Sequence, residues 1–160
     1  MRAFFQKLFG AHSSGVGANR PSDFYDPRNE NDRIAVALLA SLSRQIGFLG
    51  YELEQVPAEP PFVSKNCRGY LLGMSVEILE REGILNRSEH YVDTVVTAFA
   101  LVFGREQGPE LALQTIEEFK TPGSGLAVAF MFASQEIEAI YSSEEDIFAS
   151  GFHLFATQKD

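Results

Sequence analysis

Residues 91–103 read YVDTVVTAFALVF, a run interrupted only by Asp93, Thr94 and Thr97. A helix this apolar on nearly every face is stable only with neighbours on several sides. The stretch therefore predicts a buried central helix, with the rest of the chain arranged around it.

Upstream, Leu39, Leu42, Ile46, Leu49, Leu53 and Val56 recur at spacings of three and four, the period of one helical face. The pattern predicts a long helix capped by Asn29 or Asn31, with Glu30 and Asp32 complementing its dipole, and ended by Pro57, Pro60 and Pro61. Gly47 and Gly50 each weaken it by about 1 kcal/mol relative to Ala, so they mark a close neighbour or a bend. Ser64 is a cap for a second helix with Cys67, Tyr70, Leu71, Met74, Ile78 and Leu79 inward. Gly69 and Gly73, one turn apart, read as a groove for a closely packed helix. Gly83 supplies a left-handed stop, with Ile84 folding back on Leu79.

Downstream of the central run, which Ser88 caps with Glu89 in its first turn, Gly108–Pro109 predicts a fresh helix start. Leu111, Ala112, Ile116 and Phe119 form its inner stripe, and Glu117, Glu118 and Lys120 face water. The TPGSG turn at 121–125 closes it. From 126 to 141 the stripe is Leu126, Phe130, Ala133, Ile137 and Ile140. Val128, Met131 and Phe132 fall outside that stripe and predict burial of the first half on more than one side, while Glu136 and Glu138 carry the second half into solvent. Ser143 and Asp146 form a variant capping box for a last helix whose face is Phe148, Phe152 and Phe155. Alternating strand patterns are absent. The expected fold is all-α: an irregular antiparallel bundle of five to six helices, preceded by a short N-terminal amphipathic helix. Residues 1–28 form an amphipathic segment and linker, and residues 29–160 a single helical domain.

Charge is unevenly placed. The net charge is −9, yet residues 1–20 carry Arg2, Lys7 and Arg20 and no acid, so residues 21–160 hold −12. Such a body repels phosphate backbones and argues against nucleic-acid binding. Neither apolar run, 91–103 or 126–133, reaches the ~18 residues needed to cross a bilayer, and the first residues lack the apolar core of a secretory signal. The lone Cys67 excludes an intramolecular disulfide and fits a cytoplasmic setting.

Catalytic and metal-binding patterns are missing their parts. Each histidine, His12, His90 and His153, lacks a glutamate three positions earlier, so the helical Glu-x-x-His arrangement cannot form. HExxH and CxxC are absent, and GVGANR at 15–20 has neither a preceding strand nor a GK[ST] ending. Glu89, His90 and Asp93 decorate a helix start, and Cys67 on an apolar stripe reads as core. No catalytic residue, metal or cofactor is expected.

The features left are recognition features. Glu136, Glu138, Glu144, Glu145 and Asp146, with Tyr141 beside them, would attract an Arg- or Lys-bearing protein. Phe4, Phe5, Leu8 and Phe9 form i,i+4 pairs flanked by Arg2 and Lys7, giving a short amphipathic helix that packs on its own bundle, docks on a partner or second copy, or lies weakly on an anionic membrane. These residues predict a non-enzymatic, acidic interaction module: an adaptor, chaperone-like binder or inhibitor of a basic protein. The alternative is an apolar pocket for a small molecule or lipid, lined by Val95, Phe99, Phe103, Phe130 and Met131.

Overall fold

The computed structural model describes residues 26, 28–84, 88–143 and 147–158, and among these the chain is all-helical. Its helices are α1 (Glu30–Phe48), α2 (Lys65–Arg81), α3 (Ser88–Phe119), α4 (Ala127–Ser142) and α5 (Gly151–Thr157). The N-terminal amphipathic helix and its linker lie outside the described residues.

The helix that all the others touch is α2, not the 91–103 run. Cys67, Tyr70, Leu71, Leu72, Met74, Ile78 and Leu79 are fully buried, Ser75 with them, and Glu77 is nearly so. The 91–103 run is one-sided by comparison: Val95, Ala98, Phe99, Val102 and Phe103 face the core, while Val92, Asp93 and Thr97 are exposed. Composition misleads here because α2 satisfies its polar groups internally. Arg68 donates from Nε to the Val63 carbonyl (3.1 Å) and from Nη1 to Thr115 Oγ1 (3.3 Å), and its Nη2 lies 2.7 Å from Glu118. Ser75 returns its hydroxyl to the Leu71 carbonyl, and such internal bonds offset the cost of burying a polar side chain.

Gly69 and Gly73 admit α4. A methyl group at Gly69 would sit 2.5 Å from the Leu126 carbonyl oxygen, and one at Gly73 would land on the carbonyl of Phe130. The two helices therefore meet backbone to backbone, and Ala129, Ala133 and Ile137 complete the buried seam.

The caps follow the sequence. Asn29 Oδ1 accepts from the Asn31 amide (3.0 Å) and Ser64 Oγ from the Cys67 amide (3.3 Å). At the far end of α2, Ile84 N–H returns to the Leu79 carbonyl and Gly83 N–H to that of Glu80, with Gly83 at φ 74°, the paired bonds of a glycine-stopped helix.

Two boundaries depart from expectation for one reason. The first helix ends at Phe48, ahead of Gly50 at φ 81°, rather than at Pro57. The break in α3 lies at Gly104 (φ 81°, ψ 167°), and Pro109 continues inside the second segment instead of opening it. A break at 104 deprives the preceding turn of its i+4 donors. The carbonyls of Leu101 and Val102 instead accept from the amides of Glu54 (2.7 Å) and Val56 (3.0 Å). Leu53 and Val56 thus continue the apolar spacing of the first helix without being helical. The second segment of α3 then turns back so sharply that a methyl group at Gly108 would meet the Ala100 backbone at 2.6 Å.

Candidate interaction face

The last helix begins at Gly151, not at Ser143, and its N-terminus is satisfied from other helices. Glu136 of α4 accepts the Ser150 amide and hydroxyl at Oε1, both at 2.8 Å, and the Gly151 amide at Oε2 (3.2 Å). Gln45 of α1 accepts the Phe152 amide at Oε1 (2.7 Å). Between them stands the fully buried Tyr70, which donates its hydroxyl to Glu136 (2.6 Å) and accepts from Gln45 Nε2 (3.3 Å). Burial, then the neighbouring Glu136 carboxylate, raises the Tyr70 phenol well above its ordinary value. The network pins α5 across α1, α2 and α4, which the capping box at 143–146 could not have done.

With α5 pinned, Phe155 packs edge-on against both Phe132 (5.5 Å) and Tyr70 (6.2 Å), and His153 against Phe48 (5.9 Å). Leu154, between them in sequence, faces outward with 44% of its surface exposed. The outer face of α4 adds Val128 (75%), Met131 (60%) and Phe132 (39%), and the end of α1 adds Phe48 (64%). The expected double-sided burial of Val128, Met131 and Phe132 is therefore overturned. The glycine groove lets α4 press its backbone against α2, and that close approach leaves the opposite side of α4 uncovered. Beside this face the Arg44 guanidinium lies over the rings of Phe148 (3.8 Å) and Phe48 (5.3 Å), a cation–π arrangement joining the segment before α5 to α1. Large exposed apolar side chains on α4, α5 and the end of α1 make these elements the candidate for an interaction surface.

The acidic residues expected to recognise a partner are divided. Glu136 is committed to the α5 network rather than emerging into solvent. Glu138 is exposed and pairs with Arg81 (3.0 Å), and Tyr141 is half-buried, donating to Glu82 (3.0 Å), with its phenol raised by burial and by that carboxylate. Glu144, Glu145 and Asp146 lie outside the described residues, as do Phe4, Phe5, Leu8 and Phe9.

The residues expected to line a pocket are not brought together. Val95, Phe99 and Phe103 are in the core, Phe130 stacks on Phe119 (4.8 Å), and Met131 faces outward. The cause is α2, which packs on both α3 and α4 and so stands where the pocket was expected. Phe130 was expected to bound a cavity but instead closes the contact between α3 and α4. Burial pushes the Cys67 thiol up to about 11, against a smaller opposing effect of its hydrogen bond with Ser64, which disfavours the reactive thiolate. Among the described residues no group of three or more His, Cys, Asp and Glu side chains is placed to hold a metal ion. Every buried side-chain nitrogen and oxygen among them has a hydrogen-bond partner. His90 Nε2 lies 3.8 Å from Glu30 of α1, a surface contact between helix starts.

The spacing placed Tyr70 on an inner face, where it is found, but gave no sign of its hydrogen bonds to Gln45 and Glu136 or of the part played by Ser150. A glutamine in the middle of the Leu42–Ile46 apolar face was the available signal, since a buried amide demands partners. No helix of the described residues is long and apolar enough to cross a membrane. Comparison with protein-family models, with curated protein sequences and with solved structures found no match, so the case for any function rests on the residues of this chain.

Proposed function

We propose that the chain is a non-enzymatic, acidic interaction module of the cytoplasm, an irregular antiparallel helical bundle that takes a basic protein partner on the face formed by α4, α5 and the end of α1. The observation that carries the reading is the outward exposure of Val128, Met131 and Leu154 on helices that are otherwise fixed by a satisfied polar network. Fixed apolar side chains bind at low entropic cost, and the −12 of residues 21–160 favours approach by a partner rich in Lys and Arg. Glu138, exposed near the end of α4, adds a carboxylate to the same helix.

The test is a photo-reactive phenylalanine at position 131 of the full chain, with the same group at position 92 on α3 as the control. The expected result is an adduct from 131, and not from 92, with a protein of net positive charge that dissociates steeply as salt rises. Equal adducts from both positions would sink the reading. A stoichiometric apolar molecule in the native mass spectrum would move the function to ligand binding.

A further inference from the structure

The apolar face on α4 has a candidate occupant within the same chain. We propose that residues 2–9 are the resident occupant of the Val128, Met131 and Phe132 face and give way to the basic partner when it binds; the second half of this statement rests on the reading of that face as an interaction surface.

Three observations point to this occupant. The first is where the described chain begins. Asp26 donates its amide to the Asp32 side chain (2.9 Å), which holds the start of the chain against the first turn of α1. Arg33 in that turn binds Glu82 (2.8 Å), which also accepts the Tyr141 hydroxyl of α4 (3.0 Å). The chain therefore enters beside the C-terminal end of α4. Met131 lies ten residues back along that helix, about 15 Å at 1.5 Å per residue.

The second is length. Residues 10–25, rich in Gly, Ser, Asn and Pro, join the aromatic segment to that entry point. Sixteen residues of Gly- and Ser-rich sequence correspond to a root-mean-square span of about 20–24 Å, comparable to the distance to be covered. Matched span gives tethered segments millimolar effective concentration, so even a weak contact is occupied.

The third is chemistry. Residues 1–20 carry three cations and no acid, against −12 for the rest of the chain. Phe4, Phe5, Leu8 and Phe9 supply apolar side chains to set against the exposed Val128 and Met131. Arg2 and Lys7 on the same segment resemble the charge expected of an outside partner, which is why one surface would accept either.

The experiment uses the full chain with the photo-reactive phenylalanine at position 131, irradiated dilute and alone, with adducts mapped by peptide mass spectrometry. Met131 is largely exposed, so the replacement leaves the core untouched. The expected product is an adduct within one chain between position 131 and residues 2–9, absent when the probe is at 92. Its yield should fall roughly tenfold in the full-length Phe5→Ser, Phe9→Ser variant, since aromatic anchors dominate such contacts. The yield should be unchanged by vesicles of mixed phosphatidylcholine and phosphatidylglycerol. An adduct joining two copies, no adduct to residues 2–9, or loss of the adduct to the vesicle surface would each overturn the proposal. Failure here is distinct from failure of the interaction reading, because one experiment recovers peptides of this chain and the other those of a second protein.

Discussion

The Tyr70 hydroxyl donates to Glu136 Oε2 at 2.6 Å, and the same carboxylate accepts the Ser150 and Gly151 amides. One acidic side chain thus joins the middle of α2 to the start of α5. Replacing Glu136 with Ala strands a buried phenol and removes charged acceptors from two amides, at a cost of about 3 kcal/mol. Chemical denaturation of Glu136→Ala should show that loss, with the amides of 151–157 becoming the fastest to exchange. A change below about 0.5 kcal/mol would mean that α5 is held by Gln45 and its aromatic contacts without help from Glu136.

The glycines of α1 and α2 make opposite predictions. Gly73→Ala drives a methyl group into the Phe130 backbone, and overpacking of this kind costs about 1–3 kcal/mol. Gly47→Ala meets nothing within 4 Å and should stabilise by up to about 1 kcal/mol through helix propensity. Denaturant midpoints should move in opposite directions, and a neutral Gly73→Ala would mean that α4 is free to shift away from α2.

Acid should act through Glu118. The Arg68 guanidinium, 2.7 Å away, holds this carboxyl below its usual range, with Lys65 adding to the effect. A depressed value in the folded state means that the stability it contributes is complete above the unfolded value, about 4.3, and is lost as pH falls through the folded one. Glu118→Gln should therefore be less stable than the parent at neutral pH, with the gap closing in acid. A gap that stays constant down to about pH 3 would contradict the pairing.

Met131→Asp tests the face from the other side. An exposed substitution away from caps and packing should change stability by no more than about 0.5 kcal/mol, while a photo-reactive phenylalanine at the neighbouring exposed Val128 should lose in this variant the adduct it forms in the parent. A destabilisation of several kcal/mol would show that Met131 belongs to the folded core.

How far residues alone revealed this molecule depends on whether a pattern was local. Asn29, Ser64 and the Gly83–Ile84 stop act within a turn of their own positions, and each performs as its spacing implies. The Gly69–Gly73 groove was also legible, because a missing side chain one turn apart has few other uses. What misled was composition. The 91–103 run looked central because Asp93 is its one charged residue, whereas α2 is central with Arg68, Ser75 and Glu77 buried in it. Whether a polar side chain is enclosed depends on partners such as Thr115 and Glu118, some fifty residues away. Val128 and Met131 misled in the reverse sense, because apolar character alone does not distinguish a core position from an exposed one. The division of Glu136 from Glu138 could not be read from spacing, since two residues on one helix turn point to different neighbours.

The corner at Gly104 has a consequence for how this chain can vary. The bonds from 54 and 56 to the carbonyls of Leu101 and Val102 run between main-chain atoms, so the side chain of the exposed Glu54 takes no part in the joint, whereas Val56 is held by its own burial in the core. At 104 there is no such latitude: the backbone there adopts a region essentially reserved for glycine, and an added methyl group would stand 3.0 Å from the Glu54 carbonyl oxygen. Tolerance to mutation is thus lopsided across a single seam, wider at the exposed Glu54 than at the buried Val56 and nil at the bend.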